Sequence, residues 1–308
     1  MPCATIHLAL AGRALREWES APSTAPFRIA PHTVDAFLHG SMGPDLGFVP
    51  GTDRFLSVLA HYVEPAGLLR ELARGARDER EAAYAWGWAA HLVGDVVLHP
   101  RVGHACGEVV RGDPSVRLNA LEDVETHVSV EVGLDILTLR ADPDIPRPPT
   151  RPLFDARTVG FLTDAFRRAY GIPLEERIVL ESHRTATVRT ARWPWALQVL
   201  DRARGLSRGR PQLAVRGLVG LARQFTRTGS ALRGFLAPRR PPAWLVTEAT
   251  EEAARFPDRM RVLIDTGLES LENRNLESGE PNGRDDPHPE SVAAYRRLDA
   301  SRVSGRPS

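Results

Sequence analysis

Lysine is absent: all 40 basic residues are Arg, set against 39 acids for a net charge of +1. A balance that close to zero gives the chain as a whole no field to gather a polyanion, although Arg-only basicity leaves a surface rich in forks that fit phosphate. Cysteine is nearly absent, with only Cys3 and Cys106, which excludes a disulfide framework and fits a reducing compartment. No apolar run approaches the ~18 residues of a membrane span. The first 20 residues lack a cationic leader, interrupt their apolar run at His7 and show no small-residue cleavage pattern, so a cytoplasmic location is expected. Strand alternation is scarce and no internal repeat occurs, which argues against sheet and solenoid architectures.

What is present is 308 residues, 42% hydrophobic and 26% charged, enough for one large soluble domain or a domain with an appended piece. Apolar residues recur at helical spacing over 5–18, and further helices are expected over 54–62, 65–75, 78–98 and 118–139, the third of these ended by Pro100. Residues 37–51 are punctuated by Gly and Pro and read as a helix end followed by a loop. The segment 141–152 holds five prolines and is the clearest boundary in the chain. Beyond it, helices are expected over 155–170 and 173–190, and 183–243 contains 13 Arg and one acid, Asp201. Residues 243–274 read as an acidic helical stretch, and 277–308, rich in Gly, Pro, Asp, Arg and Ser, as a disordered tail. The expected organisation is a helical core over 1–145, a helical extension over 146–276 and a tail from 277.

The chemistry concentrates in the first part. Within the apolar stretch 86–100, His91, Asp95 and His99 stand four residues apart. On a helix such positions drift by only about 40° per step, so the three side chains share one stripe. A buried carboxylate requires a partner, and a metal ion or a protonated imidazole are the two economical choices. His127 and Glu131 repeat the i, i+4 device on the next expected helix, and His7, Asp45 and His61 add donors from earlier segments. Imidazole with carboxylate oxygen is a donor set for Zn²⁺ and other first-row metals, and eight such residues exceed the needs of one ion. His32, His39 and His183 are assigned to structure or surface, Trp86 and Trp88 to the core, and Phe48 and Tyr62, next to donors, are candidates for the substrate pocket.

In this order of motifs, over roughly residues 1–140, the chain resembles the zinc-dependent phospholipase C family, whose fold is shared with single-strand-specific zinc nucleases. The resemblance implies an all-α helical bundle with up to three zinc ions, here joined to an additional helical C-terminal region. One ion would take His7 with the chain's N-terminus, a second Asp45, His61, His91 and a bridging Asp95, and a third His99, His127 and Glu131. Pro2 or Cys3 would stand where exported relatives present a processed terminus, and His104 is close enough in sequence to replace His99. The implied reaction is attack of a metal-activated water on the phosphorus of a phospholipid headgroup ester, with Asp45 either combining ligation with proton acceptance or ligating only.

Phospholipid or another phosphodiester is the expected substrate. The Arg-rich region 183–243 offers peripheral contact with an anionic membrane surface, pairing with the acidic stretch after 243 being the plainer reading. Few aromatics interleave its arginines, Trp193, Trp195 and Phe225 chief among them, which favours lipid over nucleic acid. The alternatives are a nuclease or nucleotidase of the same fold, and a non-catalytic metal-binding helical scaffold, which an open coordination position distinguishes from an enzyme.

Overall fold

Helices supply the regular structure of the chain, which a computed structural model describes over residues 4–206 and 211–304. In order they are α1 (Ala4–Ser20), α2 (Pro31–Ser41), α3 (Arg54–Tyr62), α4 (Pro65–Gly75), α5 (Glu79–Arg111), α6 (Val124–Ala141), α7 (Gly160–Tyr170), α8 (Glu176–Thr190), α9 (Trp193–Leu206), α10 (Pro211–Ala222), α11 (Gly229–Leu236), α12 (Ala243–Thr266) and α13 (Pro289–Ser304). Among the described residues the only strand-like feature is an isolated bridge between Arg274 and Pro281. The fold is all-α. No described helix is long and apolar enough to cross a membrane.

The longest helix, α5, is the axis of the assembly, and two glycines set how closely α2 crosses it. A Cβ on Gly40 would fall 2.0 Å from the Tyr84 carbonyl oxygen, and one on Gly87 would fall 2.0 Å from that of Phe37. Only residues without a side chain let the two backbones touch. Around this crossing Phe37, Tyr84, Trp88 and Phe166 are fully buried, and one hydrophobic core runs from α1 to α13, joining residues on both sides of the proline-rich segment. Trp86 is half-buried against the same core.

Two expectations are corrected. Pro100 does not end its helix, for α5 continues through it to Arg111. Proline removes one N–H and crowds the preceding turn, and here Gly279, at φ 72, packs against Pro100 and the Val96 carbonyl that the missing N–H would have met. The expected disordered tail is ordered as far as Ser304. Asn275 Nδ2, Asn282 Nδ2 and Ser291 Oγ donate to Asp286 Oδ2 at 2.8, 2.6 and 2.7 Å, and Asn282 Oδ1 accepts the Glu64 N–H at 2.7 Å. These polar residues, which read as solvated in the sequence, satisfy one another, while Leu276, Ala294 and Leu298 anchor the segment by burial.

Candidate metal centre

The eight donor residues singled out by spacing come from five elements and face one another. α1 carries His7, a short 3₁₀ turn (Pro44–Gly47) carries Asp45, α3 carries His61, α5 carries His91, Asp95 and His99, and α6 carries His127 and Glu131. All are buried except His99, which is partly exposed. His104 lies apart, its Nδ1 at 2.9 Å from the Pro114 carbonyl. Pro2 and Cys3 lie outside the described residues.

Asp95 is the hub. Its Oδ1 lies 3.1 Å from His7 Nε2 and 3.4 Å from His99 Nε2, while its Oδ2 lies 3.0 Å from His91 Nε2 and 3.5 Å from His61 Nε2. His61 Nε2 also faces Asp45 Oδ1 at 3.3 Å. Further along α5, His99 Nε2 lies 3.7 Å from Glu131 Oε1, which His127 Nε2 approaches to 3.1 Å. Two groups bring one donor atom from each member within 4.8 Å of the others: His7 with Asp45 and His91, and His61 with His91 and Asp95.

Backbone carbonyls fix which nitrogen points inward. His91 Nδ1 lies 2.9 Å from the Ser41 carbonyl and His61 Nδ1 lies 2.9 Å from that of Ser57. A carbonyl only accepts, so both Nδ1 atoms carry protons and both Nε2 atoms are left as free lone pairs in the neutral ring, the arrangement found for histidine ligands. The Gly40 crossing delivers the Ser41 carbonyl. Ser57 delivers Asp45 as well, donating its hydroxyl to the Pro44 carbonyl and accepting the Gly47 N–H at 2.7 Å. On the other side Asp135 accepts the Ile6 N–H at 3.2 Å and Trp193 Nε1–H at 2.8 Å, tying α1 beside His7 to α6 and α9.

His61 Nε2, His91 Nε2, both Asp95 oxygens and Glu131 Oε2 are buried without a hydrogen bond, because the close contacts among them are poorly aligned for one. Burial opposes ionisation of Asp45, Asp95 and Glu131, yet the imidazoles around them hold all three below the usual carboxylate range. Burial likewise disfavours a charged His61, but Asp45 and Asp95 push it up to about 9. His7 is held below the ordinary imidazole range by burial and by His91, whose ring stacks on it at 3.8 Å. Three buried carboxylates with inward lone pairs and unmet oxygens form a donor set that divalent cations satisfy.

The centre opens on a cleft of about 410 Å³. Asp45, His61, His99, His127 and Glu131 line it on one side, and Phe48, Leu121, Trp193, Phe225 and Phe235 line the other. Phe48 and Tyr62 both line the cleft, as expected of neighbours to donors. Sequence reasoning missed Arg227, which donates to the carbonyls of Phe48 (3.2 Å), Gly47, Val49 and Thr52 (2.7 Å each) and so clasps the loop that follows Asp45. It also missed Glu277, whose Oε2 accepts the Tyr62 hydroxyl at 2.7 Å and faces His288 at 3.3 Å. Neither belongs to a local pattern. His39 and His183 sit elsewhere, holding the Arg151 carbonyl and the Leu153 N–H.

A family model described as zinc dependent phospholipase C matches residues 6–176, more than half of the chain and all eight donors. No curated protein and no solved structure matches the chain.

Proposed function

The chain belongs to the zinc-dependent phospholipase C family, and from that premise we propose that it hydrolyses the phosphodiester of a phospholipid headgroup, with up to three zinc ions held by His7, Asp45, His61, His91, Asp95, His99, His127 and Glu131. The observation that carries the reading is Asp95, each of whose oxygens faces two imidazoles with no hydrogen bond of its own. A carboxylate so placed would suit sharing between cations. His7, Asp45, His61 and His91 would complete the inner sites with it, and His99, His127 and Glu131 the outer one. When bound, zinc supplies positive charge for the phosphodiester anion and lowers the pKa of water toward neutrality.

The chain's own groups divide the remaining work. Of the two inner carboxylates, Asp45 lines the cleft and Asp95 does not, so Asp45 is the one placed to take the proton of the attacking water at a carboxylate oxygen. As the water oxygen bonds to phosphorus, the phosphorus–oxygen bond to the glycerol breaks and the leaving oxygen takes up a proton, giving diacylglycerol and a phosphorylated headgroup. The clasp of Arg227 on residues 47–52 positions the loop beyond Asp45. The apolar wall of Phe48, Trp193, Phe225 and Phe235 suits an acyl-bearing glycerol.

Zinc per chain is measured by elemental mass spectrometry on protein purified without an affinity tag, alongside hydrolysis of mixed micelles of phosphatidylcholine. More than one zinc ion per chain, with hydrolysis abolished by chelation and restored by zinc, is the expected result. A single tightly held ion and no hydrolysis of lipid or of single-stranded nucleic acid would leave a helical scaffold instead.

A further inference from the structure

Beyond the family match, α8 and α9 present a surface that the metal centre does not use. They meet at the turn 191–192, and two large apolar side chains flank it in the open: Val188 is 42% exposed and Trp195 57% exposed. Arg184 and Arg192 are exposed beside them. Among the described residues no carboxylate makes an ion pair with Arg184, Arg189, Arg192 or Arg227. Arg189 and Arg192 both turn to Gln224, to its carbonyl and its side-chain oxygen, and Arg227 is spent on the loop carbonyls. The acid in electrostatic range of Arg227 is Asp53, and Asp201, the sole acid within 183–243, is engaged by Arg140. Among the described residues no arginine of 183–243 pairs with the acidic helix α12, whose Glu248 and Glu252 meet Arg101, Arg255 and Arg259.

Chain neighbours of this face reach the cleft. Trp193 and Phe225, next in the chain to Arg192 and Gln224, pack edge to face at 5.0 Å and line the cleft together with Arg227. Leu121, 49% exposed, stands at the same opening. Burial and mutual repulsion both lower the proton affinity of Arg189 and Arg227, Arg192 acting on the first, Arg54 and Arg189 on the second. Asp53 offsets part of this on Arg227, and Arg184 and Arg192, exposed and without a carboxylate partner among the described residues, remain open to an external anion.

We propose that Arg184, Val188, Arg192 and Trp195 form a docking face for a lipid bilayer carrying anionic headgroups. An exposed indole among unpaired guanidiniums is ill-suited to water but matches the bilayer interface, where indole lies at headgroup level and arginine meets lipid phosphate. A nucleic-acid groove would instead offer a series of exposed rings, whereas Trp193 and Phe225 are buried and only Trp195 stands clear. That docking turns the cleft toward its substrate rests on the phosphodiesterase reading; the docking itself does not.

The zinc-loaded full chain is sedimented with sucrose-filled vesicles of phosphatidylcholine, with and without phosphatidylserine, over a range of salt. Binding is expected only with phosphatidylserine and is expected to fall with salt. The double variant Arg184→Ala, Arg192→Ala is expected to bind about 30-fold more weakly, and Trp195→Ala also more weakly, while both hydrolyse a soluble p-nitrophenyl phosphodiester as the parent does. Equal binding by parent and variants would overturn the proposal, as would equal binding to both vesicle types. So would a single-stranded oligonucleotide that binds through the same residues when vesicles do not. Vesicle binding without hydrolysis of any phosphodiester would sink the catalytic reading and leave the docking face standing; hydrolysis without vesicle binding would do the reverse.

Discussion

Two pairs of buried histidines, one with a member on α2 and the other with a member on α5, behave in opposite ways. His39 and His183, with ring centroids 5.2 Å apart, are met by backbone groups: the Arg151 carbonyl lies 2.9 Å from one ring and the Leu153 N–H donates to the other at 3.0 Å. His7 and His91, stacked at 3.8 Å, turn Nε2 toward one carboxylate, Asp95, which makes no hydrogen bond, while His91 Nδ1 is held by the Ser41 carbonyl. Burial alone therefore does not make an imidazole a ligand. The first pair stitches the proline-rich segment to α2 and α8; the second has donor atoms left over, a set that suits a cation.

The largest effect is expected from removing the shared carboxylate, which would make the second pair resemble the first. Asp95→Ala is expected to lose bound zinc by elemental mass spectrometry and at least ~10³-fold in phosphodiester hydrolysis; retained zinc and activity would mean that Asp95 is an ordinary buried acid. A smaller effect, on stability, is expected at the crossing that both pairs share. Gly40→Ala places a Cβ 2.0 Å from the Tyr84 carbonyl oxygen and forces the helices apart. A loss of ~3 kcal/mol or more by urea unfolding is expected, with zinc affinity falling too because the Ser41 carbonyl moves from His91. Unchanged stability would show that the crossing is looser than its backbone contact implies.

How far the sequence reaches differs between the two pairs. His91, Asp95 and His99 declare themselves by a period of four, and His127 with Glu131 by the same rule, since an α-helix places such residues on one face whatever surrounds it. The all-α class rested on helical spacing of apolar residues, scarce strand alternation and the family resemblance. The carbonyls of Ser41 and Ser57, which choose the histidine tautomers, have no side-chain signature and could be read only from the fold. Arg227, Trp193 and Phe235 reach the cleft by contacts spanning tens of residues to over a hundred, with no local pattern to mark them. Composition misled at the tail, because Asn275, Asn282 and Asp286 read as solvated until their mutual hydrogen bonds are seen. Pro100 misled because a helix held along its length by other elements tolerates the loss of one hydrogen bond.

The smallest effect sharpens the comparison from the other side. Burial, together with His39 and Arg184 nearby, holds the His183 imidazole down to about 3, whereas in the unfolded chain it titrates near 6.5. The unfolded state therefore binds a proton that the folded state refuses between those two values. The stability this group contributes is fully present above about pH 6.5 and is lost as pH falls toward 3, by about 2 kcal/mol at pH 5. His183→Gln removes the titration while keeping a side chain that can accept the Leu153 N–H. Urea unfolding of the chelated protein at pH 7 and pH 5 is expected to show the parent losing about 2 kcal/mol more than the variant. With zinc restored, both are expected to bind the same amount of metal. Equal acid sensitivity would mean that His183 is protonated in the fold and paired with an anion. A loss of zinc in the variant would join the two pairs into one extended site, since only then would an imidazole held by backbone groups matter to donors across the helix.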